Sequence, residues 1–206
     1  MKQRAARTGV TILVFLVGLT GCLSRPGTPT NYYVLEFDGS VAGAPPERPA
    51  AEVAGPAVIV QDAEVASMFD RRQLLQRLEG PLVRYRSGEL WAVSPSTAVA
   101  ELVREGVERS PHFGSVNSGR RAAGRYEVTV RIDALTHYCC DRVAEGEVAG
   151  ELALLDLRTG RAVIRHSFER REELADEVPR TFVEAVARLL SEEVVAFLDK
   201  VPDELE

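Results

Sequence analysis

The stretch YEVTVRIDA, residues 126–134, decides the fold. Tyr126, Val128, Val130, Ile132 and Ala134 alternate with Glu127, Thr129, Arg131 and Asp133. Successive side chains on a strand point to opposite faces, so the pattern predicts a strand with one buried and one wet face. EVAGELALLDL at 147–157 continues as a second strand, Arg158-Thr159-Gly160-Arg161 turns the chain, and AVIRHSFER at 162–170 returns. Together they predict an antiparallel meander.

Working outward, the period changes from two to 3.6. Pro179 opens a helix whose apolar stripe is Val183, Val186, Leu190, Val194 and Phe197. Upstream, Ser94 suits an N-cap with Pro95 at the first helical position, and Val99, Leu102, Val103 and Val107 share one face before Ser110-Pro111 ends the helix. NYYVLEF places Tyr33, Leu35 and Phe37 on one side of a first strand, AVIVQ at 57–61 is a short buried strand, and 71–93 holds two or three short strands with Ser87-Gly88 as a hairpin turn. Residues 38–56, rich in Ala, Pro and Gly, form a surface loop. The expected fold is α+β: a single domain over 32–200, an antiparallel sheet with two main amphipathic helices packed on it, followed by an acidic tail at 201–206.

The start of the chain is a different kind of sequence. Lys2, Arg4 and Arg7 precede an apolar run from Val10 to Leu19, and LVGLTGCLSRPG at 16–27 ends that run on small residues and a cysteine. Ten residues make roughly 15 Å of helix, short of the ~20 residues a bilayer requires. This is the pattern of a signal peptide, residues 1–21. Leu19-Thr20-Gly21-Cys22 resembles the lipobox of bacterial lipoproteins. That resemblance implies cleavage between Gly21 and Cys22, a diacylglycerol on the Cys22 thiol and an N-acyl chain such as palmitate on the new amino group. Multiple acyl chains give stable anchoring where one gives only marginal binding. Residues 22–31 then serve as a lipidated tether. Leu23 stands where inner-membrane lipoproteins commonly carry Asp, which implies the outer membrane with the body in the periplasm.

Composition excludes several functions. The formal charge is −6, and loss of Lys2, Arg4 and Arg7 with the signal segment takes it to −9, opposite to the basic face of a nucleic-acid binder. Lys2 and Lys200 are the only lysines, no GxxxxGK loop exists, and neither GxSxG nor HExxH occurs. His112, His137 and His166 fall in separate segments and are expected as surface or half-buried residues, so no catalytic residue is assigned and an enzyme is not expected. His137-Tyr138-Cys139-Cys140 lacks the paired-cysteine spacing of a zinc site, and no metal is expected. Cys139 and Cys140 can close a strained ring, pair with another chain, or stay reduced and buried. No cofactor is expected beyond the acyl groups on Cys22. Arg71, Arg72 and Arg77, with Trp91, are the candidate docking residues, since arginine forks suit phosphate and carboxylate.

The succession of a lipobox, YYVLEF, VIVQ, FDRRQLLQR and Trp91 before a Ser-Pro helix start resembles the ABC-type transport auxiliary lipoprotein family, whose relatives include the paraquat-inducible protein C lipoproteins. GELALLDLRTGRAVIRHSFERR and the closing helix are similar too, so the resemblance spans roughly residues 31–199. The Pro/Ala-rich insertion at 38–56 and Cys139-Cys140 depart from the pattern. The resemblance implies an outer-membrane anchor for lipid transport. The partners would be an MCE-domain protein spanning the periplasm and an ABC permease and ATPase in the inner membrane, with homo-oligomeric assembly compatible with that role. A structural outer-membrane lipoprotein that aids assembly of an envelope component is the alternative.

Overall fold

The computed structural model describes residues 29–47, 55–119, 122–139, 143–202 and 205. The signal segment, Gly21, Cys22 and Cys140 lie outside the described residues, as does most of the tether. Nine strands are described: β1 (Asn31–Tyr33), β2 (Ala57–Val60), β3 (Glu64–Val65), β4 (Gln73–Arg77), β5 (Val83–Trp91), β6 (Ser115–Asn117), β7 (Tyr126–Tyr138), β8 (Glu145–Asp156) and β9 (Arg161–Glu173). Two helices accompany them: α1 (Pro95–Arg109) between β5 and β6, and α2 (Pro179–Leu198) after β9.

The meander is as the alternation predicts. β7 pairs antiparallel with β8, and β8 with β9. Val128, Val130 and Ile132 of β7 face inward with Val148, Leu152 and Leu154 of β8. The register slips by one between Ile132 and Ala134. Opposite the slip, a Cβ on Gly150 would come within 2.1 Å of the Arg131 carbonyl oxygen, so only glycine fits there.

The sheet as a whole is mixed rather than antiparallel. β2, β3 and β4 lie successively along one edge of β7, each parallel to it, and β1–β5 and β2–β6 are also parallel. A parallel pair needs a crossover, and the long excursion through β5 and α1 supplies it between β2 and β7. Alternation within a strand reveals which side chains are buried, not which way the neighbouring strand runs.

Both helices pack on the sheet and against each other: α2 over β7, β8 and β9, α1 over β2, β3 and β6. Val99, Leu102, Val103 and Val107 of α1 and Val183, Val186, Leu190, Val194 and Phe197 of α2 are all buried, as their spacing predicts. Ser94 caps α1, its Oγ accepting from the Thr97 N–H at 3.3 Å. The helices touch at Gly106, where a Cβ would sit 2.6 Å from Val194 Cγ1 and 2.8 Å from Phe37.

Three local expectations change. Val83–Trp91 is one strand that runs through Ser87-Gly88, and the hairpin turn falls instead at Glu79–Leu82, closed by Leu78 N–H to Leu82 O at 2.9 Å. Gly88 (φ +90°) bends β5 at a three-residue register slip against β4, while Gly80 (φ +68°) makes the turn. The first part of the 38–56 insertion is not purely a surface loop: Val41 joins the core, and Ser191 Oγ accepts from the Asp38 N–H at 2.8 Å. The tail begins later than residue 201, because Val201 continues the stripe of Val194 and Phe197 into the core and Leu205 packs against it.

Candidate functional site

The DRR segment sits where β4 begins beside the junction of β5 with α1. Asp70 Oδ1 accepts from the Ser96 N–H at 3.2 Å, which satisfies a donor at the start of α1. Arg72 donates from Nε to Trp91 O at 3.2 Å and from Nη2 to Ala92 O at 2.9 Å, and its guanidinium lies 5.7 Å from the centre of the Tyr32 ring. Arg72 is therefore a clamp on the end of β5. Arg71 is exposed, its guanidinium 5.2 Å over the Tyr85 ring. Arg77 is exposed at the far end of β4, 6.0 Å over Tyr138, whose ring also takes Arg171 at 4.3 Å. Arg71 and Arg77 are about 20 Å apart along the strand, so the three arginines do not form one pocket.

Trp91 is not a docking residue. It is 2% exposed and meets Phe182 of α2 at 6.5 Å between ring centres. A lone tryptophan at a strand end completes the core beneath the helix, and only its backbone carbonyl meets the arginine segment.

His112 is half-buried as expected, but His137 and His166 are more deeply placed than half-buried strand residues would be. His137 is fully buried, stacked on Phe182 at 4.9 Å with the planes 9° apart, and its Nδ1 lies 3.4 Å from Gln76 Nε2. Burial, with a smaller contribution from Arg86, holds its pKa down to about 4, so the ring is neutral. Nε2 of His137 has no hydrogen-bond partner among the described residues. His166 is joined to α2: Nε2 is 2.6 Å from Glu193 Oε2 and Nδ1 is 2.6 Å from Lys200 Nζ. Arg170 adds bonds to Glu193 at 2.7 Å and Glu192 at 2.9 Å, and Arg188 bridges Glu172 and Glu192. This network fastens β9 to α2. No short window of sequence reveals it, because each strand–helix pair joins residues 16 to 27 positions apart.

Tyr33 donates to Glu89 Oε2 at 2.6 Å, and burial together with that carboxylate pushes its pKa up to about 12. Cys139 is buried, and its N–H donates to Arg77 O at 3.1 Å. Among the described residues no group of three or more His, Cys, Asp or Glu side chains is placed to hold a metal ion. A groove of about 580 Å³ between β2 and α1 is lined by Gln61, Asp62, Thr97, Glu101 and Arg104, a polar lining ill suited to an acyl chain. No described helix is long and apolar enough to cross a membrane.

The described body is an open mixed sheet carrying two helices, with arginine–tyrosine pairs near the two ends of β4. The chain belongs to the ABC-type transport auxiliary lipoprotein component family, whose model matches residues 35–196. Two crystal structures share the fold. One is an uncharacterized protein at 12% identity and a TM-score of 0.66, covering 85% of this chain and 100% of that one. The other is a Xanthomonas campestris protein assigned to DUF330 at 14% identity and 0.67, covering 82% and 93%. No curated protein matches the chain.

Proposed function

We propose that the chain is the lipid-anchored auxiliary component of an ABC/MCE-type envelope transport system, holding the trans-periplasmic lipid conduit at the outer membrane. The observation that carries this reading is the family match, which covers nearly the whole body downstream of Gly21-Cys22. The body works by position. Its buried histidines are engaged in packing and in the β9–α2 network, and its exposed arginines pair with tyrosines on an open sheet. Arginine and tyrosine are enriched at protein interfaces, and Arg71 with Tyr85 and Arg77 with Tyr138 offer them at the two ends of β4. Energy for transport comes from the partners, an inner-membrane ATPase and permease reached through an MCE-domain protein.

In-cell crosslinking of a C-terminally tagged chain, followed by mass spectrometry of what is attached, tests the reading. Recovery of an MCE-domain protein with its permease is the expected result. Recovery of outer-membrane barrels alone turns the assignment to a structural lipoprotein. For the anchor, Cys22→Ser should release the body from the membrane fraction or leave it unprocessed; a variant processed and membrane-bound like the parent overturns Cys22 as the lipid site.

A further inference from the structure

β9 is a sheet edge. It pairs with β8 on one side and with no described strand on the other. Its 13 residues include neither proline nor lysine, which commonly blunt such an edge. Its bulge is at Val163, between the pairs Leu154–Ile164 and Leu155–Ala162, so the run from Ile164 to Glu173 is regular. Alternate residues in that run point their backbone N–H and C=O groups away from β8, and no described residue bonds to them. The helix leaves the edge open: α2 lies chiefly over β8, and His166 and Arg170 turn their side chains to Glu193 on that helix.

An open edge is a template for another strand, and its charges decide which one fits. On the wet face of β9, Arg165 bonds Glu151 at 2.8 Å and Arg171 bonds Glu147 at 3.1 Å, both within the same sheet. Glu169 differs. It stands opposite Ala149 and has no ion pair among the described residues. Glu169 and Arg165 lie two residues either side of Ser167, on the same face. Two copies of β9 related by a two-fold axis at Ser167 run antiparallel, and each Arg165 then stands opposite Glu169 of the second copy. Arg165 is 62% exposed and bonds Glu151 through Nη1, which leaves the rest of its donor fork for a second carboxylate. On the other face His166 stands opposite Phe168, and no like charges meet in this register.

Neighbouring registers fit less well. An axis at Phe168 sets Arg165 against Arg171, and an axis at Arg165, Glu169 or Arg170 sets that charge against its own copy. An axis at His166 leaves Glu169 opposite Val163. A two-fold perpendicular to the sheet keeps each face continuous, so both copies of α2 lie on one side. Centred over β8, they stand about 14 Å apart across three strand spacings, beyond the roughly 8–10 Å of helices in contact. The helices do not collide.

We propose that β9 is a homodimer interface: two copies of the chain pair edge to edge through Ile164–Arg170, antiparallel about Ser167, and join their sheets into one. Backbone bonds hold the strands together. The two Arg165–Glu169 pairs set the register, since exposed ion pairs add specificity more than affinity. The contact is self-complementary and closes at two copies. It leaves the arginine–tyrosine pairs of β4 uncovered, because β4 lies on the other side of β7. The inference is independent of the transport reading and of the anchor.

The test uses the full chain carrying Ser167→Cys, oxidised with copper phenanthroline in intact cells so that the readout does not depend on the anchor. The parent chain gives the background from Cys22, Cys139 and Cys140. Val163→Cys is the control. Both positions are exposed, but the two Val163 residues would stand eight residues apart, about 27 Å, while the two Ser167 residues would stand about 5 Å apart. Disulfide-linked homodimer should form about tenfold more from Ser167→Cys than from Val163→Cys. Adding Glu169→Arg sets arginine against arginine and should cut the yield about fivefold. Co-expressing a Glu169→Arg chain with an Arg165→Glu chain, both carrying Ser167→Cys and tags of different size, should restore the disulfide between unlike chains. Equal yields from Ser167→Cys and Val163→Cys overturn the proposal. A Ser167→Cys dimer indifferent to Glu169→Arg, or a co-expression that restores nothing, also overturns it. Capture of a different protein alone by Ser167→Cys overturns it as well and gives the edge to that protein.

Discussion

His166 on β9 and Glu193 on α2 form a buried pair with Nε2 and Oε2 2.6 Å apart. Because the Lys200 ammonium donates to Nδ1, Nε2 carries the proton and donates to the carboxylate. Glu193 also takes Arg170, so one carboxylate joins two strand residues to the helix. Glu193→Ala leaves a buried histidine without its acceptor and should lower stability by about 2–3 kcal/mol in urea unfolding. Lys200→Met removes an exposed charge and should cost less than about 1 kcal/mol. Equal losses from the two variants would show that Glu193 is not the centre of the network.

His137 sets a pH window. Its pKa is about 4 in the fold against 6.5 in a free chain. The unfolded chain takes up a proton as pH falls below about 6.5 while the native ring stays neutral, so stability declines from there until pH 4, where the native ring protonates too. The loss over that interval is about 3 kcal/mol. Asp38, Asp156 and Asp176 also titrate differently in the fold, but hydrogen bonds lower their pKa values, so their contribution is lost only in more acid solution. His137→Leu should flatten the profile between pH 6.5 and 4 when unfolding free energies are measured across it. A slope unchanged in that variant assigns the decline elsewhere.

Local signals carried most of the element assignments. The alternation at 126–134, Pro179 and the Ser94-Pro95 pair each act through neighbouring backbone, and each marked its element correctly. Ser87-Gly88 misled because a glycine at positive φ serves a bulge as well as a turn. The parallel placement of β2, β3 and β4 along β7 was not legible, since strand direction depends on connections that no short window contains. Of the candidate docking residues, Arg71 and Arg77 are open on the surface, Arg72 is a backbone clamp, and Trp91 is core. Residue type cannot separate those roles; they follow from which carbonyls and rings the fold brings alongside.

The contact of α1 with α2 depends on Gly106. A side chain there meets Val194 and Phe37 at distances no real Cβ tolerates. Gly106→Val should lower the melting temperature through overpacking of about 2–3 kcal/mol, since β-branched valine relieves only a few tenths, about 0.4 kcal/mol, of glycine's helix penalty. Val194→Ala in the same chain opens space beside the new side chain and should restore part of the loss. Failure of that second change to help would place the strain at Phe37 rather than at the helix crossing.

Arg71 and Arg72 are adjacent but should behave differently. Arg72→Ala leaves the Trp91 and Ala92 carbonyls without the guanidinium and removes its stack on Tyr32, and should cost about 1–2 kcal/mol of stability. Arg71→Ala loses only an exposed cation–π contact with Tyr85 and should cost about 0.5 kcal/mol. Unfolding curves for the two variants, run beside the crosslinking yield for the proposed MCE-domain partner, separate folding from docking. A drop in yield from Arg71→Ala at unchanged stability places the partner on the β4–β5 face. If yield falls only for Arg72→Ala, in step with its stability, the DRR segment serves the fold and the partner binds elsewhere.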